Sequence, residues 1–247
     1  MMATATGPET ERSGWPRTGG QWRRRWLAHR APAGPLADYL ATPFPPPRRD
    51  CREVEFLALD LETTGLDPTR DEIISIGLVP LRGGRLELGQ GVGLQVRPEG
   101  AVGADSVAIH GLTDSALAEG QPLGTALEQL LGRLAGRVLL AHYAPFELAF
   151  LDRACRAVYG GRFAAAVVDT QWLEHRHRQR RGQPVRAADL RLHAVRRAWG
   201  LPPHRAHDAL ADAVAAGELF LAQWADRAGS GRLPLKAVLS PTHAARR

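Results

Sequence analysis

Two carboxylates one residue apart, Asp60 and Glu62, close the otherwise apolar run FLALDLE. In a strand, residues i and i+2 point to the same face, so both acids project together from the strand's C-terminal end. Two anions held that close repel unless something neutralises them, and a divalent cation is the usual solution. Solvated acids capping a strand are the simpler reading. An acid inside an apolar run argues against it, because burying an unpaired charge is costly. The Thr63-Thr64-Gly65 that follows reads as a tight turn whose backbone can approach a ligand closely.

A second cluster, His207, Asp208 and Asp212, lies in HDALADAVAAGELF. Asp208 reads as the N-cap of an alanine-rich helix, leaving Asp212, one turn in, free to reach inward. A histidine beside carboxylates titrates in the physiological range and suits general-base work. His204 and Asp208, four apart, form a competing pair. Neither His204 nor His175, His177 and His193 is read as a metal ligand. Glu147 stands in HYAPFELAFL, bordered by Phe146, Leu148, Phe150 and Leu151. It is either a first-turn acid favoured by the helix dipole or a third inward carboxylate.

The elements that must position these groups follow from periodicity and punctuation. Strands are expected over residues 54–60, 72–80 and 85–97, the last two joined through the Gly83-Gly84 hairpin signal. Leu127, Leu130, Leu131 and Leu134 recur at helical spacing within 125–134. A short strand at 138–141, a helix at about 146–159 and a strand at 167–169 come next. Helices over 187–199 and 207–227 follow, the first stopped by Gly200 and Pro202. Three meandering strands and then strand–helix alternation imply a mixed α/β sandwich. The folded domain is expected over 51–228. Before it, residues 1–20 read as disordered, Trp22 and Trp26 would share one face of a docking helix, and Pro43 to Pro47 form a stiff linker. The tail from 229 to 247 reads as loose.

The charge is unevenly spread. The 247 residues carry a formal net charge of +6, but 51–169 is net −6, 170–205 net +7 and 1–50 net +4. An acidic centre flanked by basic stretches fits a carboxylate-lined metal site beside a surface that holds a polyanion, although charge runs by themselves are more often solvated surface. Of the 32 cations only Lys236 is lysine, so the high pI partly reflects an arginine-rich composition. No apolar stretch reaches the roughly 18–20 residues of a membrane span. Cys51 and Cys155 are too few for a disulfide scaffold or a four-cysteine zinc site. With no signal-peptide core near Met1, a reducing cytoplasm is the expected location.

Together these segments resemble the three exonuclease motifs of the DEDD superfamily of 3′–5′ exonucleases, in the histidine-containing DEDDh branch. That branch includes the proofreading epsilon-type subunit of bacterial replicative polymerase, oligoribonuclease and ribonuclease T. FLALDLETTGLDPTRDEIISIG resembles the first motif, IHGLTD at 109–114 the segment after the third strand, and VVDTQWL the strand ending in Asp-Thr. His207 lies five residues before Asp212, the spacing of the third motif, which favours this pair over His204–Asp208. The resemblance covers roughly residues 54–225. It implies a ribonuclease H-like mixed five-stranded sheet flanked by helices, with residues 1–50 as an N-terminal extension. It also implies two divalent ions, Mg²⁺ or Mn²⁺, held by Asp60, Glu62, Glu147 and Asp212, with His207 as general base and the backbone around Thr63 and Thr64 receiving the 3′-terminal nucleotide. The second motif usually reads HNAxFD, whereas here Tyr143 and Glu147 stand in HYAPFE.

The expected activity is release of nucleoside 5′-monophosphates from a DNA or RNA 3′ end, with single-stranded DNA favoured. An exoribonuclease and a catalytically weakened nucleic-acid-binding module are the alternatives. A polymerase or other protein would be met through the N-terminal extension.

Overall fold

The computed structural model describes residues 19–100 and 119–241. Residues 1–18 and the IHGLTD segment lie outside them. The run FLALDLET forms β1 (Phe56–Thr63), buried along nearly its whole length, which suits a central strand covered on both faces. β2 (Ile73–Arg82) pairs with it antiparallel, with Asp60 opposite Gly77 and Glu62 opposite Ser75. β5 (Val138–Ala141) lies parallel to β1 on the other side, and β6 (Val167–Asp169) parallel to β5.

The expected third strand is broken in two. β3 (Arg85–Leu86) and β4 (Val92–Gln95) pair with opposite ends of β2, separated by a 3-10 turn at Leu88–Gln90. The break falls opposite Pro80. Its carbonyl accepts from Glu87 N–H at 2.9 Å on that edge, but a proline has no N–H to return. Among the described residues the expected mixed sheet runs β3-β2-β1-β5-β6, with β4, the second piece of the divided third strand, beside β3 along β2.

Helices cover both faces. Leu57, Leu59 and Leu61 of β1 face α1 (Gly19–Arg30), α2 (Pro35–Ala41), α3 (Leu123–Leu134) and α4 (Pro145–Tyr159). Phe56 and Ala58, on the opposite face, meet α5 (Thr170–Arg180) and α7 (Ala209–Ala228). There Phe56, Phe220 and Trp224 form an aromatic cluster with centroids 5.1–6.2 Å apart. The alternation that sends the leucines to one layer sends Asp60 and Glu62 toward α7.

Four regions depart from the sequence reading. Helix α5 occupies a stretch without apolar periodicity. It is started by the Asp169 side chain, which accepts from Gln171 and Trp172 N–H. The helix expected over 187–199 is a 3-10 turn, Ala187–Leu190, followed by the short α6 (Leu192–Ala198). The segment after Gly229 is packed: Leu233, Leu235 and Val238 are buried, and Ser240 N–H bonds Val167 O at 2.9 Å on β6. In α1 the buried side chains are Leu27 and Arg24, while Trp22 and Trp26 face outward. Among the described residues no helix is long and apolar enough to cross a membrane.

Candidate active site

Asp60, Glu62 and Asp212 offer carboxylate oxygens that all lie within 4.8 Å of one another. The two β1 acids come together by strand periodicity. Asp212 arrives because α7 begins directly above β2. Gly77, opposite Asp60 in the β1–β2 register, makes that approach feasible: a Cβ there would stand 2.0 Å from the carbonyl oxygen of Ala209. Sequence reading missed Gly77, whose signal was a lone glycine inside an apolar strand. Asp208 caps α7, accepting from Ala211 N–H at 3.0 Å, and Asp212 is left to point at β1.

Glu147 is buried in the first turn of α4. It stands outside the 4.8 Å group, yet its charge acts on Asp60 more strongly than any other. Its Oε2 is buried with no hydrogen-bond partner among the described residues. The turn that delivers it is held by Asp169, whose Oδ1 accepts from Tyr143 N–H at 3.0 Å. His142 anchors the same turn, with Nδ1 2.8 Å from Thr170 Oγ1 and Nε2 2.8 Å from Leu190 O. Burial pushes the His142 pKa down to about 4, so the ring stays neutral.

Among the described residues only two non-glycine residues have left-handed backbone, Tyr143 (φ 73°) and His207 (φ 66°). Each stands just before a site carboxylate, Tyr143 before Glu147 and His207 before Asp212. A bulky residue in this region costs on the order of 1–3 kcal/mol and persists where surrounding contacts hold it. His207 presents an exposed side chain, while its backbone N–H donates to Asp212 Oδ2 at 2.9 Å. The imidazole that touches the carboxylate is that of His204, with Nε2 2.7 Å from Asp212 Oδ1. His204 was set aside on spacing; a loop that turns back over the helix start is invisible to spacing.

Thr63 Oγ1 donates to Gly65 O at 2.6 Å. The Thr64 N–H is spent on Glu72 O at 2.9 Å, which removes it from the backbone groups expected to meet a ligand. A cavity of about 180 Å³ opens beside Glu62 and His207, lined also by Ser75, Gln95, Asp208 and Leu210.

The electrostatics are those of a site short of positive charge. Burial, then the charges of Glu147, Asp212, Glu62 and Asp208, raise the Asp60 pKa well above the carboxylate range. Burial, then Asp212 and Asp208, bring Glu62 to about 7. Burial and Asp169 raise Glu147. Converging carboxylates, one with an unpartnered buried oxygen, are the donor set of a hard divalent cation, and the residues present fit one. The basic 170–205 stretch is only partly free. Arg196 is buried, binding Ala215 O, Pro202 O and Glu218, and Arg178 pairs with Glu174 at 2.6 Å. Arg176, Arg180, Arg181, Arg186, Arg191, Arg197 and Arg205 are exposed.

A three-layer sheet carrying clustered acids at the C-terminal end of its central strand defines a class of nuclease folds, and the comparisons with known proteins agree. The family profile described as exonuclease, RNase T, matches residues 57–220. The chain belongs to this exonuclease family and has the ribonuclease H-like fold. It is 34% identical over 171 residues to the DNA polymerase III subunit epsilon-like protein of Rhodobacter capsulatus, covering 68% of this chain and 23% of that one. It is 32% identical over 169 residues to the PolC-type DNA polymerase III of Thermotoga maritima, covering 68% and 12%. The chain thus spans less than a quarter of these two relatives. Among solved structures, the nuclease domain of 3′hExo, a DEDDh family member bound to rAMP, superposes with a TM-score of 0.61 at 17% identity, covering 72% of this chain and 95% of that one. Exonuclease I from Methylocaldum szegediense gives 0.60 at 21%, covering 70% and 41%. These two likenesses are of fold.

Proposed function

We propose that this chain is a divalent-metal-dependent 3′–5′ exonuclease that releases nucleoside 5′-monophosphates, with single-stranded DNA as its preferred substrate. The observation that carries the reading is the group formed by Asp60, Glu62 and Asp212, all within 4.8 Å. Asp60, Glu62, Asp212 and Glu147 would hold Mg²⁺ or Mn²⁺, which supplies charge neutralisation at the phosphate and a lowered pKa for the attacking water.

The chain's own groups supply the rest. The water oxygen bonds to phosphorus as the P–O3′ bond breaks, and the water's proton passes to the ring of His207. That imidazole is exposed beside the cluster, on a turn whose backbone N–H is bonded to Asp212. The departing 3′-oxygen takes up a proton from solvent. Ser75 and Gln95, in the cavity beside Glu62, would present polar side chains to the terminal nucleotide, and the backbone of Thr63 and Thr64, following Glu62, would receive it through groups other than the Thr64 N–H. The exposed arginines after α5 suit the phosphate backbone.

The test is incubation of the purified protein with 3′- or 5′-labelled DNA and RNA single strands and Mn²⁺. Shortening from the 3′ end that Asp60→Ala and His207→Ala abolish is the expected result. Absence of metal-dependent shortening of either strand sinks the enzyme reading, and faster shortening of RNA overturns the DNA preference.

A further inference from the structure

Helix α1 lies outside the matched exonuclease region and has two unlike faces. One face fastens it to the domain. Leu27 is buried with Ala28 and Ala31 packed behind it, Arg24 donates through Nη1 to Leu40 O and through Nε to Gln21 Oε1 at 3.0 Å, and Gln21 Nε2 donates to Phe44 O at 2.5 Å. The other face carries Trp22, Arg25, Trp26, His29 and Arg30, at the spacing of a single helical stripe. Trp22 is 72% exposed and Trp26 43%. The Arg30 guanidinium stands 4.4 Å from the centroid of the Trp26 ring. No acid occurs anywhere in Gly19–Arg30.

Docking of the helix onto its own domain does not account for the two indoles, because Leu27, Arg24 and Gln21 already do that from the opposite side. What remains is a rigid row of two aromatic faces one turn apart, interleaved with cations and free of competing anions. That chemistry matches a flexible polyanion with exposed π-faces. Bases stack on the indoles, while Arg25 and Arg30 meet the phosphates. A protein partner that used the tryptophans alone would leave the uniformly cationic flank without a counterpart.

We propose that this stripe is an accessory binding surface for single-stranded nucleic acid, separate from the catalytic cleft. The inference extends the exonuclease reading by giving the substrate a second hold on the enzyme, but it is measured without catalysis. The full chain is titrated in EDTA with a fluorescently labelled oligo-dT of about 16 nucleotides, the upper end of common single-strand site sizes, and anisotropy is read at two salt concentrations. Trp22→Ala/Trp26→Ala should weaken binding at least tenfold, Trp22→Phe/Trp26→Phe should restore most of it, and Arg25→Gln/Arg30→Gln should flatten the salt dependence. All the substituted residues are exposed, Trp26 in part, so unchanged thermal melting confirms that each variant is folded.

Equal affinity of the wild type and the double alanine variant overturns the proposal, as it would if the stripe served a protein partner. So does an alanine variant that the phenylalanine variant fails to rescue. Tight, stripe-dependent binding in EDTA with no cleavage in Mn²⁺ would defeat the exonuclease reading alone. Cleavage with stripe-independent binding would defeat this one alone.

Discussion

The imidazole Nε2 of His204 lies 2.7 Å from Oδ1 of Asp212, while the backbone N–H of His207 holds Oδ2 of the same carboxylate at 2.9 Å. Two histidines three residues apart thus divide two tasks. One ring orients the carboxylate; the other ring is left exposed, and its backbone completes the grip.

This division separates the two side chains experimentally. Groups that orient a metal ligand typically contribute tenfold to a hundredfold in metal affinity or activity. His204→Ala should therefore weaken Mn²⁺ binding by about tenfold in calorimetric titration, and His204→Gln, which keeps a donor, should recover part of it. His207→Ala should leave Mn²⁺ affinity nearly unchanged, because its backbone N–H remains, while lowering kcat by about 10²–10⁴. Equal effects of both alanine variants on Mn²⁺ affinity would refute the division of roles.

Glu147 tests whether the departure from aspartate in the second motif is functional. Its buried Oε2 has no partner among the described residues, a cost to the ion-free fold of about 1–3 kcal/mol. Glu147→Met should raise the melting temperature of the ion-free protein by a few degrees while reducing Mn²⁺ affinity and turnover. Glu147→Asp should retain or raise turnover, and Glu147→Ala should lower it. Turnover indifferent to both would remove Glu147 from the site.

Gly77 should prove as important as a ligand. Its Cβ would stand 2.0 Å from Ala209 O, so Gly77→Ala must push the start of α7 off β2 and carry Asp212 away from Asp60. The expected cost is about 1–3 kcal/mol of stability from overpacking, together with loss of Mn²⁺ binding. Gly93, its neighbour across β4, is the folding control: a Cβ there meets nothing nearer than Leu210 Cβ at 4.0 Å. Identical melting and Mn²⁺ titrations for the wild type and Gly77→Ala would show that α7 does not depend on this contact.

The carboxylates set a pH dependence with a definite sign. Burial and the neighbouring acids raise Glu62 from an ordinary 4.5 to about 7. Across that window the folded protein retains a proton that the unfolded chain has released. Glu62 therefore makes the ion-free protein lose stability as pH rises from about 4.5 to about 7, and the raised Asp60 and Glu147 extend the loss to higher pH. Glu62 accounts for about 3 kcal/mol of this change. A bound divalent ion favours the ionised form, so the rise in melting temperature on adding Mn²⁺ should grow from about pH 5 to about pH 7. Thermal scans with and without Mn²⁺ across that range check it; a Mn²⁺ increment that is flat with pH would contradict the assignment of Glu62.

The local chemistry of the site was legible because it rests on short periods. Asp60 and Glu62 share a face through the two-residue repeat of a strand, and Asp208 caps α7 because an acid before an alanine-rich run satisfies its free N–H groups. The exonuclease relationship was legible for the same reason, since its motifs are contiguous runs. Helix α5 was not, because its residues are almost all polar and it is held by the Asp169 cap and by Leu173 against α7 rather than by an apolar stripe. The broken third strand could have been read from Pro80, whose missing N–H interrupts the edge. The arginine stretch misled in part, because Arg196 and Arg178 are consumed inside the fold.

The sequence by itself determined which residues carry the chemistry and on which elements they ride, because strand pleat, helix cap and motif spacing are properties of neighbouring residues. The tertiary structure alone decided that α7 starts against Gly77, that His204 rather than His207 puts its ring on Asp212, that Glu147 sits beside the three-acid group rather than in it, and that α1 turns its tryptophans outward. Each of these is a contact between segments distant in sequence or folded back on themselves. Such contacts are set by which surfaces fit when the layers pack, and no local period encodes that.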